Sequence, residues 1–280
     1  MLDSVLLILR EVLEAALIIS LLLALSNKLE LSYRWSFIAL IAGVAGSWLI
    51  AHYAYDIAEA MEGRGQELLN AALYCAVILS VTLLGLLVLP IIFLPSRKKT
   101  ATDTDVTHGQ LAQHTPLLYS LFVIIFSVSL SREGSEIWIY LSAFAHNQDA
   151  FSSALIGSAV GAGIGMSLGA IIFYLFTFMP EKYFFPIFIV MIVLWAGGLS
   201  MQIAKQLMQI DLLSSGQTLW DSTFLVDEHS WLGELLYALI GYDSRPSLTQ
   251  GIFYLLTIAP ILLALIWHLW RLRAKAYEKN

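Results

Sequence analysis

Long apolar runs recur along the chain, separated by short polar segments. A run of about 20 apolar residues is the length that carries an α-helix across a bilayer core. Seven such runs predict membrane-spanning helices at about 2–25, 35–55, 68–95, 117–145, 152–178, 185–208 and 249–270. The expected fold is all-α and polytopic, with one membrane domain over residues 1–280. The polar breaks divide it into a three-helix unit (1–95), a cytoplasmic linker (96–116) and a second three-helix unit (117–208). An outer loop (209–248), a seventh helix (249–270) and a cytoplasmic tail (271–280) follow. The linker "PSRKKTATDTDVTHGQLAQHTP" is Thr-rich with proline at each end, and is expected to be flexible. The semi-apolar outer loop is expected to lie at the interface as a short amphipathic helix.

Composition agrees with this pattern. Hydrophobic residues make up 59% of the 280 and charged residues 13%, against about 25% charged in soluble domains. The first run does not read as a cleavable signal. Its start, "MLDSVLL", lacks a basic region, and Arg10, Glu11 and Glu14 interrupt the apolar stretch. The single cysteine, Cys75, excludes a disulfide framework or a thiolate metal cluster within one chain.

Charge sets the orientation. With the C-terminus inside, Lys28, Arg34, Arg97, Lys98, Lys99, Lys182 and the basic tail are cytoplasmic, and only Arg64, Lys205 and Arg245 lie outside. An odd number of spans then puts the N-terminus outside. The acids partition the other way, among them Asp3, Asp56, Glu59, Glu62, Glu67, Asp221 and Asp243. An acidic outer face concentrates cations and repels anions.

Two charged motifs break the apolar pattern: "LREVLEAALI", with Arg10, Glu11 and Glu14, and "SREGSEIWIY", with Arg132, Glu133 and Glu136. At 100° per residue the R-E-x-x-E positions fall at about 0°, 100° and 40°, one arc of each helix. The two glutamates of a motif are i, i+3, so their carboxylates can converge on one ion. Each arginine is i, i+4 from the second glutamate, within pairing reach. Both motifs lie near mid-span, where one charge costs at least about 2.5–3.5 kcal/mol. They must therefore face each other or a wet cavity. The first span runs inward and the fourth outward, the arrangement of an inverted three-plus-three repeat with a midplane site. Four glutamates against two arginines leave negative charge uncompensated, so the site calls for a cation or protons.

Other side chains extend this stripe. Asp3 lies on the Arg10 face about 10 Å outward, and Glu67 starts the third span on the outer side, so both are entrance candidates. Ser129 and Tyr140 continue the polar face of the fourth span as accessory candidates. His52, Asp56 and Glu59 share a face if the second span continues as helix, which would form an acidic vestibule. Gly157, Gly161, Gly165 and Gly169 form a small-residue ridge for close helix packing.

The donor set is hard and oxygen-rich, which suits ferric iron over zinc or copper and leaves calcium and manganese open. Paired carboxylates also serve acid–base enzymes, but no added nucleophile or HExxH zinc motif accompanies them here. A transporter is expected, not an enzyme.

Paired R-E-x-x-E motifs in the first and fourth of seven spans resemble the FTR-type, oxidase-dependent iron permeases, in particular their bacterial EfeU-type members. "QELLNAALYCAVIL" and "GYDSRPSLTQGIFYLLTIAPILLALI" extend the resemblance over most of the chain. It implies Glu11, Glu14, Glu133 and Glu136 as iron ligands in the permeation path, with Arg10 and Arg132 orienting them. It implies iron, ferric or ferrous, as the transported substrate, and no organic cofactor. The expected location is a bacterial inner membrane. The expected partners are the lipid bilayer and an extracytoplasmic iron oxidase or iron-delivery protein, with no nucleic acid. The chain departs from the family where Val12 replaces a usual glycine in the first motif. It departs again in "ELLNA", where Asn70 replaces an acid of the family's third span. A permease for lead, manganese or calcium on the same scaffold is the alternative.

Overall fold

A computed structural model describes residues 2–92, 101–227, 230, 232, 233, 236, 237 and 241–277, with side chains from Ser4 to Pro90 and, in the remainder, from Thr115 to Trp270. Eight helices are described: α1 (Leu2–Lys28), α2 (Arg34–His52), α3 (Ala54–Gly63), α4 (Gly65–Ile92), α5 (Ala101–Ser142), α6 (Gln148–Phe178), α7 (Glu181–Gln209) and α8 (Leu248–Tyr277). Six of them, α2 and α4 to α8, are long and apolar enough to cross a membrane. The 27 residues of α1 span about 40 Å at 1.5 Å per residue. Length is therefore no obstacle to its crossing; its charged motif is what sets its composition apart.

Local chemistry places several ends. Asn147 caps α6, its Oδ1 accepting from the Ala150 N–H at 3.1 Å. Pro180 precedes α7, where no helical N–H is lost. Lys28 Nζ donates to the Thr177 and Met179 carbonyls at 2.8 and 2.7 Å, tying the end of α1 to the end of α6. The second expected span ends early. α2 stops at His52, and α3 runs to a left-handed corner at Met61, Glu62 and Gly63. Of the expected linker, residues 96–100 lie outside the described residues, whereas 101–116 are helical and form the start of α5. The flexible connection expected there is corrected to that extent.

The helices pair across the two halves of the chain. α1 lies along α6, α2 along α5, and α4 against α7, with α8 packed on α7 and α4. Both of the first two pairings are parallel, since Gly161 meets Val5 and Ile8 while Gly169 meets Ala16, and Gly43 meets Leu130 while Ser47 meets Gly134. The glycine ridge of α6 is buried against α1, and Ser20 Oγ donates to the Gly169 carbonyl at 2.8 Å. α2 carries a matching ridge of Ala39, Gly43 and Ser47 that the sequence reading passed over. Val12 sits over Gly165, while Gly134 lies under Ser47. The branched side chain of the first motif is thus absorbed by a glycine on the neighbouring helix.

One apolar core fills the end of the bundle that holds the C-terminal half of α1 and the N-terminal half of α5. Leu17, Ile18, Leu21, Leu25, Val81, Leu84, Phe122, Ile125, Phe126, Phe184 and Phe188 belong to it. The charged motifs lie immediately beyond this core, toward the α1 N-terminus.

Candidate cation-binding site

α1 and α5 bring the two motifs together, with Arg132 at the centre. Its guanidinium donates to Glu14 Oε2 at 3.0 Å and to Glu136 Oε1 at 3.2 Å, and also to Glu133 Oε1. Arg10 donates from Nε to the other Glu14 oxygen at 3.3 Å. Both oxygens of Glu14 are therefore held by arginine. The remaining three acids form a separate group: ligand oxygens of Glu11, Glu133 and Glu136 lie within 4.8 Å of one another. Three carboxylates this close repel unless a cation or proton joins them. Among the described residues no other group of acids, histidines and cysteines is placed to hold a metal ion.

Each arginine rests on a tyrosine face. Arg132 lies 4.5 Å from the centroid of Tyr74 on α4, and Arg10 lies 4.2 Å from that of Tyr237 in the 209–248 loop. Gly241 explains how this loop reaches so deep. Its φ of +67° suits glycine, and a Cβ there would collide with the Gly198 backbone of α7. The loop, expected to carry a short helix, is helical at residues 232, 233, 236 and 237, and it delivers Tyr237 to the first motif. Asp221, Thr223 and Arg245 brace its outer part, and the Thr223 hydrogen bonds hold the Asp221 carboxyl below its usual range.

The site opens toward one end. Glu11, Glu14, Arg132 and Glu133 are buried, but the Arg10 and Glu136 side chains are each 38% exposed. On that side Tyr140 donates to Ser4 Oγ at 2.7 Å, joining α5 to α1. At the other end the apolar core closes the way.

The accessory candidates scatter. Ser129 is buried, its Oγ unpartnered, and lines a cavity with Arg132 and Glu133. Glu67, in the first turn of α4, has one buried unpartnered oxygen. His52 stacks on Trp48, Glu59 accepts from Tyr55, and Asp56 is exposed, so no vestibule cluster forms. Asp3 lies in α1 with its side chain outside the described residues. Tyr74 and Tyr237 were missed by the sequence reading. The only hint was a tyrosine on the Glu67 face of α4 and an apolar stretch in an otherwise acidic loop.

The tyrosine contacts are testable. Tyr237→Leu removes a cation–π contact worth about 0.5–2 kcal/mol and frees Arg10. Unfolding of the purified protein in detergent is expected to show a loss of that size, while Tyr237→Phe keeps the ring and most of the stability.

No curated protein and no solved structure is similar enough to match the chain. A family model does match, over residues 1–273. With almost its full length covered by that model, the chain belongs to the iron permease FTR1 family.

Proposed function

We propose that this permease imports iron across a bacterial cytoplasmic membrane, through a site formed by the R-E-x-x-E motifs of α1 and α5. The observation that carries this is the meeting of the two motifs, with Arg132 of α5 bonded to Glu14 of α1. Glu11, Glu133 and Glu136 converge beside that pair, three carboxylates of which Arg132 meets two. In this reading α1 is the seventh span, the N-terminus is outside and the C-terminus cytoplasmic. The exchanged pairings α1–α6 and α2–α5 support an inverted three-plus-three repeat.

Iron collected at the acidic outer face passes Asp3 and Glu67 and enters beside Glu136 and Arg10. Glu11, Glu133 and Glu136 bind it first, and Glu14 joins as it parts from Arg132. The arginines orient the carboxylates when no ion is bound, and limit binding strength so that the ion can leave. An extracytoplasmic oxidase or delivery protein would supply the ion in its transported state. The all-oxygen donor set also fits manganese, calcium or lead, and competition of each against iron during liposome uptake ranks them.

Glu14→Ala and Glu133→Ala are each expected to cut iron uptake at least about tenfold at equal protein levels, the loss of one charged ligand contact exceeding about 1.4 kcal/mol. Normal iron accumulation by either variant sinks the site assignment.

A further inference from the structure

Glu133 touches two spaces. Its Oε1 meets Arg132 at the motif junction, while its Oε2 is buried without a partner. The Ser129 hydroxyl, one turn earlier on α5, is also buried without a partner. Both side chains line one cavity, walled by Tyr74, Val77, Arg132 and Trp195. Buried polar atoms are nearly always paired, and two orphans on one cavity mark a place built for a polar occupant. The i, i+4 spacing puts them on the same helix face.

The position of the cavity gives it a direction. Tyr140, Glu136, Glu133 and Ser129 descend one side of α5 at steps of three or four residues. Ser129 lies about 6 Å beyond Glu133 toward the apolar core at 1.5 Å per residue. One turn further the helix face becomes Phe126, Ile125 and Phe122, all buried in that core. The cavity is therefore the last polar space on this face of α5 before the apolar seal. Glu133 repels an anion there, and Arg132 is already neutralised by three carboxylates.

We infer that this cavity is a second holding position for the transported cation, with Glu133 Oε2 and Ser129 Oγ as its protein oxygens. This rests on the cation reading of the motif site. Glu133 hands the ion from one of its oxygens to the other. The ion leaves Glu11 and Glu136 without losing its carboxylate. Two linked positions of moderate strength favour passage over trapping.

Ser129→Ala separates this position from the first. Equilibrium dialysis with radioactive ferrous iron under ascorbate is expected to give wild-type affinity within about threefold, while liposome uptake falls about tenfold. Ser129→Thr keeps the oxygen and the uptake. Ser129→Cys is expected to make uptake sensitive to cadmium at concentrations that spare the wild type, because a thiolate recruits a soft ion. A cavity holding only water predicts wild-type uptake by Ser129→Ala and no cadmium sensitivity in Ser129→Cys, and that result overturns the inference. So does a parallel loss of binding and uptake in Ser129→Ala. Neither result touches the motif site, which fails if Glu14→Ala, outside this cavity, still transports normally.

Discussion

Arg132→Ala is expected to destabilise the folded protein by about 3–5 kcal/mol, the range for removing one partner of a buried ion pair. Arg132 neutralises Glu14, Glu133 and Glu136 at once. Without it, the buried Glu133 and the half-exposed Glu136 have no guanidinium, and Glu14 keeps only Arg10. Removing an acid is milder, because Arg132 retains its other partners. Glu136→Ala should be mildest, since that side chain is 38% exposed. Arg132→Lys should rescue poorly, because one ammonium lacks the planar fork that reaches several carboxylates. Glu14→Gln added to Arg132→Ala should recover part of the loss, a coupling that a double-mutant cycle measures. Reversible unfolding in mixed detergent and dodecyl sulfate micelles gives the ranking. If Arg132→Ala unfolds with the wild type, the ion network does not hold α1 to α5.

The meeting of the two motifs was legible in the sequence because two local rules acted together. Charge at mid-span must be partnered, and the R-E-x-x-E spacing puts three charges on one helix arc. These rules bring Arg10, Glu11 and Glu14 opposite Arg132, Glu133 and Glu136, and the six do gather. The division of labour among them was not legible. Arg132 takes Glu14 from the opposite helix, and the three-acid group is Glu11, Glu133 and Glu136. That depends on side-chain reach between helices separated by more than a hundred residues. The glycine ridge of α6 was readable for the same reason as the motif, a repeat of four on one helix. Its counterpart on α2 was hidden because Ala39 and Ser47 stand where glycine would have drawn the eye. Tyr237 could not have been placed. Nothing local to "ELLYALIGYDS" says that the loop folds down to Arg10, and only the fit of Gly241 against Gly198 shows why it can.

Gly161→Ala should reduce iron uptake to background while the protein still inserts into the membrane. A Cβ at Gly161 would lie 2.5 Å from the Val5 carbonyl oxygen and 3.0 Å from the Leu9 N–H nitrogen. Both are backbone atoms of α1, so no rotamer change relieves the contact and the helix itself must shift. Overpacking of this kind costs about 1–3 kcal/mol. The functional loss is larger, because Leu9 immediately precedes Arg10 and Glu11. A displacement of about 1 Å there opens the three-acid group, and misplacement on that scale can cost about a hundredfold in positioned chemistry. Gly163, on the opposite face of α6, where an added Cβ would meet nothing within 4 Å, is the matched control, and Gly163→Ala should transport normally. Gly165→Ala should be milder than Gly161→Ala, since its Cβ would first meet the Val12 side chain, and Val12→Gly in the same chain should restore it. Equal uptake by the Gly161 and Gly163 variants would mean that the register of α1 on α6 does not set the geometry of the cation site.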